Sequence, residues 1–320
     1  MFLRGSNREF PLDFIDFPLQ VCKILATVDL AKNLTDYFEN LLQDEDNDII
    51  TKLVPQLPDL VEIFEELKHA EPDTPQKESK ESKEKLKDSK ESQNSDGKYY
   101  LDMVLNIGNT LSKRHMWRLE VQLIDGIPFY FEVFDMKELN DKVVPFLMKR
   151  VKEGILEIRL KAIEILVKFM RVNYLITRFK DLMKTFQEEL YHSSCYQMRI
   201  AYIHLFLKFG DIFSRTFTKQ NLLSNIFMLA GDKVSQVRRK LASFLPEIRG
   251  TLLPDDHDSI KKFAEFVNRL SQDTDKEVSE VIMVLEYSLK LILLLVRKPR
   301  VLKRCYMNLF PTAKKRRKRG

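Results

Sequence analysis

The chain has 320 residues, of which 44% are hydrophobic and 31% charged, and it carries only 9 glycines. That balance supplies a large core, excludes a turn-rich sheet protein and favours long helices. The formal charge of +6 equals one run of six cations, Lys314, Lys315, Arg316, Arg317, Lys318 and Arg319. The body is therefore charge-balanced and lacks the overall basic footprint of a nucleic-acid binder.

Residues 10–70 read as irregular helices. Val21, Leu25 and Val28 follow helical spacing, Asp44 to Asp48 form an acidic corner, and Ile49, Leu53, Val54 and Leu57 resume the apolar pattern. Residues 71–98 hold Leu86 as the only large apolar side chain among Lys, Glu, Ser and Asp. Such a segment buries too little surface to offset its ordering entropy, so a disordered charged insertion is expected there. From 99 to 296 the apolar pattern becomes regular and helical, and 297–320 form a basic tail. The apolar run from Val281 to Val296 is interrupted by Glu286 and Lys290 and is shorter than the ~20 residues of a spanning helix. It reads as a buried helix. Three scattered cysteines, Cys22, Cys195 and Cys305, form no disulfide framework and suit a reducing compartment. With no apolar leader at the start, a soluble, cytoplasmic protein is expected, and the Lys314–Arg319 run reads equally as a nuclear address, an acidic-partner contact or a solvated tail.

The regular part repeats. An apolar–Arg step opens a helix at Trp117-Arg118, Ile158-Arg159, Met198-Arg199 and Val237-Arg238, with intervals of 41, 40 and 39 residues between the arginines. Val278-Ser279 continues the series without the arginine. Each unit contains two apolar-periodic helices joined by a polar corner; the clearest runs from Leu222 to Ile248, with Gly231-Asp232-Lys233 as the corner. Removing residues 71–98 leaves Ile50 and Arg118 one period apart, so the insertion loops out without disturbing the register. A period near ~40 built from helix pairs defines the HEAT/armadillo class. The fold expected is all-α, a right-handed superhelical solenoid of about six antiparallel helix pairs.

Once per unit, Arg118, Arg159, Arg199 and Arg238 stand where a cation can pair with an acid of the adjacent corner, forming a structural ladder. The corners themselves are the places for partner contact. Trp117, Glu153, Glu157, Tyr196, Asp232, Lys233, Gln236, Gln272 and Asp273 are the candidates, and Trp117, the only tryptophan, is also read as a buried residue.

The corner Met228-Leu229-Ala230-Gly231-Asp232-Lys233-Val234-Ser235-Gln236-Val237-Arg238 resembles that of HEAT-repeat subunits of the protein phosphatase 2A-like family. Met198-Arg199-Ile200-Ala201-Tyr202-Ile203 and Leu270-Ser271-Gln272-Asp273-Thr274-Asp275 are similar to a helix start and a turn of the same scaffold subunits. The insertion and Leu53-Val54-Pro55-Gln56-Leu57-Pro58 look closest to the regulatory subunit 4 branch of protein phosphatase 4. The resemblance implies a non-catalytic regulatory or scaffold subunit that binds a phosphatase 4- or 2A-type serine/threonine phosphatase catalytic subunit and organises substrate access. It implies no cofactor, no nucleic acid and no membrane.

Residue chemistry agrees in lacking an enzyme's constellation. His192-Ser193-Ser194-Cys195 offers one His-x-x-Cys step with no second pair, short of four zinc ligands, and no phosphate-binding glycine loop or nucleophile elbow is present. Other readings of the same residues are a HEAT-type adaptor for nuclear transport or another protein-binding role, and an RNA-binding helical repeat, which the balanced charge opposes.

Overall fold

The computed structural model describes residues 47–59, 100–172, 178–253 and 255–285, and every regular element among them is helical. The insertion at 71–98, the basic tail, most of the irregular N-terminal segment, Cys22 and Cys305 lie outside the described residues. The chain divides into two compact units, Met1–Thr185 and Phe186–Gly320.

The first unit begins with α1 (Asn47–Leu53), which tightens into a 3-10 turn at Val54–Gln56 carrying Pro55. Then come α2 (100–113), α3 (Trp117–Gly126), a 3-10 turn at Ile127–Phe129, α4 (Tyr130–Val133), α5 (Met136–Glu153) and α6 (Leu156–Val172). Local chemistry fixes the ends of α5. The Asp135 carboxylate accepts from the Lys137 N–H at 3.1 Å, and Arg150 and Lys152 in the last turn complement the negative end of the helix dipole. Its buried residues Leu139, Val143, Phe146, Leu147 and Val151 make a single stripe. By contrast α6 is buried on two sides, through Ile158, Ala162, Ile165 and Phe169 on one and Ile163, Val167 and Met170 on the other, because it packs against both α5 and α3. Stacked helix pairs impose this burial, since a lone pair covers one face only. The Tyr100 hydroxyl donates to the Leu57 carbonyl at 2.6 Å, fastening α2 to the α1 segment, where Ile50, Leu53 and Leu57 are fully buried. Tyr100, Tyr130 and Phe134 close this end of the core, with ring centroids 6.1 to 6.3 Å apart.

The boundary between the units falls in α7 (Arg178–Phe186), which continues into a π-helical turn at Gln187–Tyr191. The second unit holds α8 (Tyr196–Ile212), then α9 (Arg215–Thr218), a π turn at Lys219–Leu223, α10 (Ser224–Met228) and a 3-10 turn at Leu229–Gly231, which run together as one irregular helix. After the Asp232–Val234 corner come α11 (Ser235–Ser243), α12 (Leu245–Gly250), α13 (His257–Ser271) and α14 (276–285). The apolar series expected to continue through Phe244 and Leu245 breaks there, since Pro246 denies the helix a donor and Phe244 leaves helical geometry. Helix α8 packs against α11 and the Gln187–Tyr191 turn, and α13 packs against α10 and α11. The buried residues of α8, Ala201, Tyr202, Ile203, Leu205, Phe206 and Phe209, cover more than half of its circumference. Phe209, Phe213 and Phe217 stack with successive centroids 4.9 and 4.8 Å apart.

Candidate functional site: the helix-pair corners

Each corner carries one inward side chain that fixes it and several outward ones that meet solvent. The inward position is the fourth residue of the second helix. Arg159 holds it in α6, Arg199 in α8 and Arg238 in α11. The preceding residue, Ile158, Met198 or Val237, is buried and anchors the helix start.

All three arginines first bond backward. Arg159 donates to the Val151 and Gly154 carbonyls at 2.8 and 3.1 Å. Arg199 donates to those of Ser193 and Ser194 at 2.7 and 3.1 Å, and Arg238 to that of Asp232 at 2.7 Å. These carbonyls lie in the last turn of the first helix or just past it, where the helix itself supplies no donor. In the second unit the same guanidinium also reaches forward. Arg199 grips Asp232 with two parallel bonds of 2.5 and 2.9 Å, and Arg238 grips Asp273 with bonds of 2.6 and 2.8 Å. The Asp232 and Asp273 carboxylates then cap their own corners by accepting from the Val234 and Asp275 N–H groups at 2.8 and 2.9 Å. One guanidinium thus ties two successive corners, and bidentate geometry makes each rung strong and directional.

The electrostatics follow. Burial alone would lift the Asp232 carboxyl, but the Arg199 fork, the Val234 N–H and the nearby Arg238 together hold it below the usual carboxylate range. The Arg238 fork does the same to Asp273 against a smaller opposing burial.

Arg118 does not belong to this ladder. It is the second residue of α3, exposed, with its guanidinium 4.4 Å from the Trp117 ring centroid. The fourth residue of α3 is Glu120, which is buried and accepts from Arg150 Nε at 2.7 Å. Here the charges of the rung are swapped: the acid sits on the second helix and the arginine on the first helix of the next pair. Arg150 also donates to Asn109 at 3.0 Å and lies 4.2 Å from the Phe146 ring centroid. Burial raises the Glu120 carboxyl while Arg150 pulls it down, and burial prevails. The signal for this assignment was in the sequence. Leu119, Leu123 and Ile124 reproduce the frame of Val237, Leu241 and Ala242, whereas a frame starting at Trp117 does not.

The outward positions differ from corner to corner. Glu153 and Glu157 are exposed beside Ile155 and Leu156, two aliphatic side chains about half exposed that residue chemistry had not singled out. Tyr196, Lys233, Gln236 and Gln272 are exposed, and Trp117 is partly exposed. Asp232 and Asp273, expected among the partner contacts, instead have side chains only 5% and 6% exposed and engaged in the ladder. Met228 and Phe129 are further exposed apolar residues at helix ends.

Cys195 is exposed at the start of α8, and among the described residues no cluster of three His, Cys, Asp or Glu side chains could hold a metal. No described helix is long and apolar enough to cross a membrane. Neither a protein-family model nor a curated protein sequence matches this chain. The class defined here is an all-helical protein of stacked helix pairs with rigid corners.

Proposed function

We propose that the helix pairs form a HEAT-type solenoid, a right-handed superhelix, and that the chain is a non-catalytic regulatory or scaffold subunit of a phosphatase 4- or 2A-type serine/threonine phosphatase. The observation that carries the solenoid reading is the recurrence of one arginine role at one helix position: Arg159, Arg199 and Arg238 each seal their own corner, and the latter two clamp the next. A repeated device of this kind supports a quasi-linear array in which each pair is held by its neighbours. The phosphatase assignment is supported by the resemblance of residues 228–238 and 270–275 to scaffold-subunit corners. In this reading the chain does no chemistry. It raises the effective concentration of substrate at a bound catalytic subunit by holding both on one rigid surface.

The test is affinity purification of the tagged chain from cells, with bound proteins identified by mass spectrometry. Recovery of a phosphatase 4- or 2A-type catalytic subunit, reduced by Lys233→Glu or Gln236→Glu, is the expected result. These positions are exposed, so their reversal leaves the Arg199–Asp232 rung intact. Recovery of other partners with no phosphatase overturns the assignment and leaves a HEAT-type adaptor of another kind as the reading.

A further inference from the structure

One position of the corner carries an acid in every repeat of the frame but one. Six residues before Arg159, Arg199, Arg238 and Ser279 stand Glu153, Ser193, Asp232 and Asp273. Three are acids and one is a serine. Ser193 nevertheless has the backbone role of its two counterparts in the second unit. Its hydroxyl accepts from the Cys195 N–H at 3.3 Å, as Asp232 accepts from the Val234 N–H at 2.8 Å and Asp273 from the Asp275 N–H at 2.9 Å. Its carbonyl accepts from Arg199 at 2.7 Å, as that of Asp232 accepts from Arg238 at 2.7 Å. The side chain at 193 is therefore held as the corner acids are held.

Charge alternates along the second unit from Arg199 onward. Arg238 lies between the acid of its own corner, Asp232, and that of the next, Asp273, and both act on it. Arg199 has Asp232 ahead of it, and at its own corner it has the serine. Asp232 in turn is met by arginines on both sides, Arg199 and Arg238. The start of α8 adds to the positive side of this balance. Its N-cap residue, Cys195, makes no side-chain capping bond, so the first N–H groups of a 17-residue helix face the corner without a side-chain acceptor from it. Glu188 and Glu189, in the turn before Ser193, are the acids on the other side of the balance.

We propose that Ser193 is a phosphorylation site, at which a phosphate supplies the corner acid that Asp232 and Asp273 supply in the corners that follow. On a protein kinase the Ser193 Oγ attacks the γ-phosphorus of ATP. The Oγ–phosphorus bond forms, the bond from the γ-phosphorus to the bridging oxygen breaks, ADP leaves and the hydroxyl proton passes to a base of the kinase. The product carries a charge near about −2 and three acceptor oxygens. It gives Arg199 an acid at its own corner, as Arg238 has, and offers acceptors to the Cys195 N–H and the start of α8. An enzyme can reach the position: residues 192–195 are not helical, Ser193 is half-exposed, and His192, Ser194 and Cys195 are exposed. The phosphate would stiffen the corner that presents Tyr196 and Gln197 and place a new negative charge beside them. The proposal rests on the repeat frame and is independent of which partner the chain binds.

Two measurements test it. In the first, the tagged full chain is purified from eukaryotic cells treated with a serine/threonine phosphatase inhibitor, and fragment-ion mass spectrometry locates phosphate on the peptide that spans His192 to Arg199. Phosphate on Ser193, absent from Ser193→Ala, is the expected result. Recovery of that peptide without phosphate, or with phosphate on the adjacent, more exposed Ser194 and none on Ser193, overturns the proposal. In the second, urea denaturation of the full chain compares Ser193→Asp, Ser193→Ala and Ser194→Asp. The Ser193→Asp midpoint should lie above that of Ser193→Ala by roughly 0.3 M, the size of a gained cap, and Ser194→Asp should show no such gain. The gain should vanish in an Arg199→Met background. A Ser193→Asp midpoint equal to or below that of Ser193→Ala means that Glu188, Glu189 and the end of the preceding helix outweigh Arg199, and it overturns the proposal. Neither measurement reads phosphatase capture, so failure here and failure there are separate.

Discussion

Replacing Arg199 with methionine keeps most of the side-chain stem and removes the guanidinium, and with it four bonds: two to Asp232 and two to the Ser193 and Ser194 carbonyls. The Asp232 carboxylate, 5% exposed, then keeps the bond from the Val234 N–H at 2.8 Å. Removing one partner of a buried pair costs about 3–5 kcal/mol, and the surviving backbone bond places this variant near about 3 kcal/mol. Asp232→Ala strands the arginine but leaves its carbonyl bonds, and is expected at about 2–3 kcal/mol. Because the two residues act as one rung, the double variant should lose about 2 kcal/mol less than the sum of the singles, within the coupling range for contacting groups. Urea denaturation of the full chain, followed by far-ultraviolet circular dichroism, measures all three. Arg239→Ala supplies the comparison. Its bond to Glu277 is as short, at 2.5 Å, but the side chains are 55% and 66% exposed, so the loss should stay below about 1 kcal/mol. Additive losses for Arg199 and Asp232, or a loss at Arg199 no larger than at Arg239, would refute the view that desolvated rungs rather than charge pairs in general hold the corners.

The swapped rung makes its own prediction. Arg150→Met alone should cost about 3–5 kcal/mol by stranding Glu120, whereas Arg150→Met with Glu120→Leu should recover most of that loss in the same urea assay. His115→Gly should raise stability by about 0.5–1 kcal/mol in the same urea assay, because relief of left-handed strain exceeds the added freedom of the unfolded chain. Gly154→Ala should lower stability by about 1–3 kcal/mol, since the added methyl meets the Arg150 carbonyl, a backbone atom that cannot swing aside. Acid titration separates the rungs by sign. Asp232 and Asp273 are depressed in the folded chain, so their stabilisation is present above the ordinary carboxylate pKa of about 4 and is lost as pH falls through the folded values. Glu120 is raised, so its ionisation opposes folding and its contribution improves as pH falls. Urea midpoints measured from pH 6 to pH 3 should therefore fall less steeply in Asp273→Asn and more steeply in Glu120→Gln than in the parent.

The all-helical fold and the corner positions were legible because burial imposes a period on apolar residues. Val237, Leu241 and Ala242 recur as Ile158, Ala162 and Ile163, and as Met198, Tyr202 and Ile203, and all nine are buried. The helix break at Phe244 was missed because its apolar spacing continues unbroken and only Pro246 marks it. The ladder was half legible. Arg159, Arg199 and Arg238 stand out by type and interval, but Trp117-Arg118 shows the same apolar–Arg step two residues out of frame. A charge-swapped rung defeats any search by residue type, since Glu120 with Arg150 does the work that Arg199 does with Asp232. Asp232 and Asp273 looked like surface acids because an acid in a polar corner has the same local sequence whether it faces solvent or the next guanidinium. His115 could not be recognised, because histidine carries no signature of a left-handed backbone.

The fourth position and the first two positions of each second helix do opposite things, and this bears on function. The fourth position turns inward and varies little in role: Arg159, Arg199 and Arg238 seal carbonyls, and Glu120 closes a reversed rung. The first two positions face outward and vary in chemistry, as Trp117-Arg118, Leu156-Glu157, Tyr196-Gln197, Ser235-Gln236 and Lys276-Glu277. Ile155, Leu156 and Tyr196 stand exposed beside polar corners and leave apolar surface in water. A rigid frame with an uneven outer row is what recognition requires: the rungs remove the ordering entropy that a flexible surface would lose on binding, and the differing outward pairs give each corner its own preference. On the proposed protein-binding reading, the partner surface of each unit is its row of corners, and substitutions there should change partners without changing stability, while substitutions one turn deeper should do the reverse.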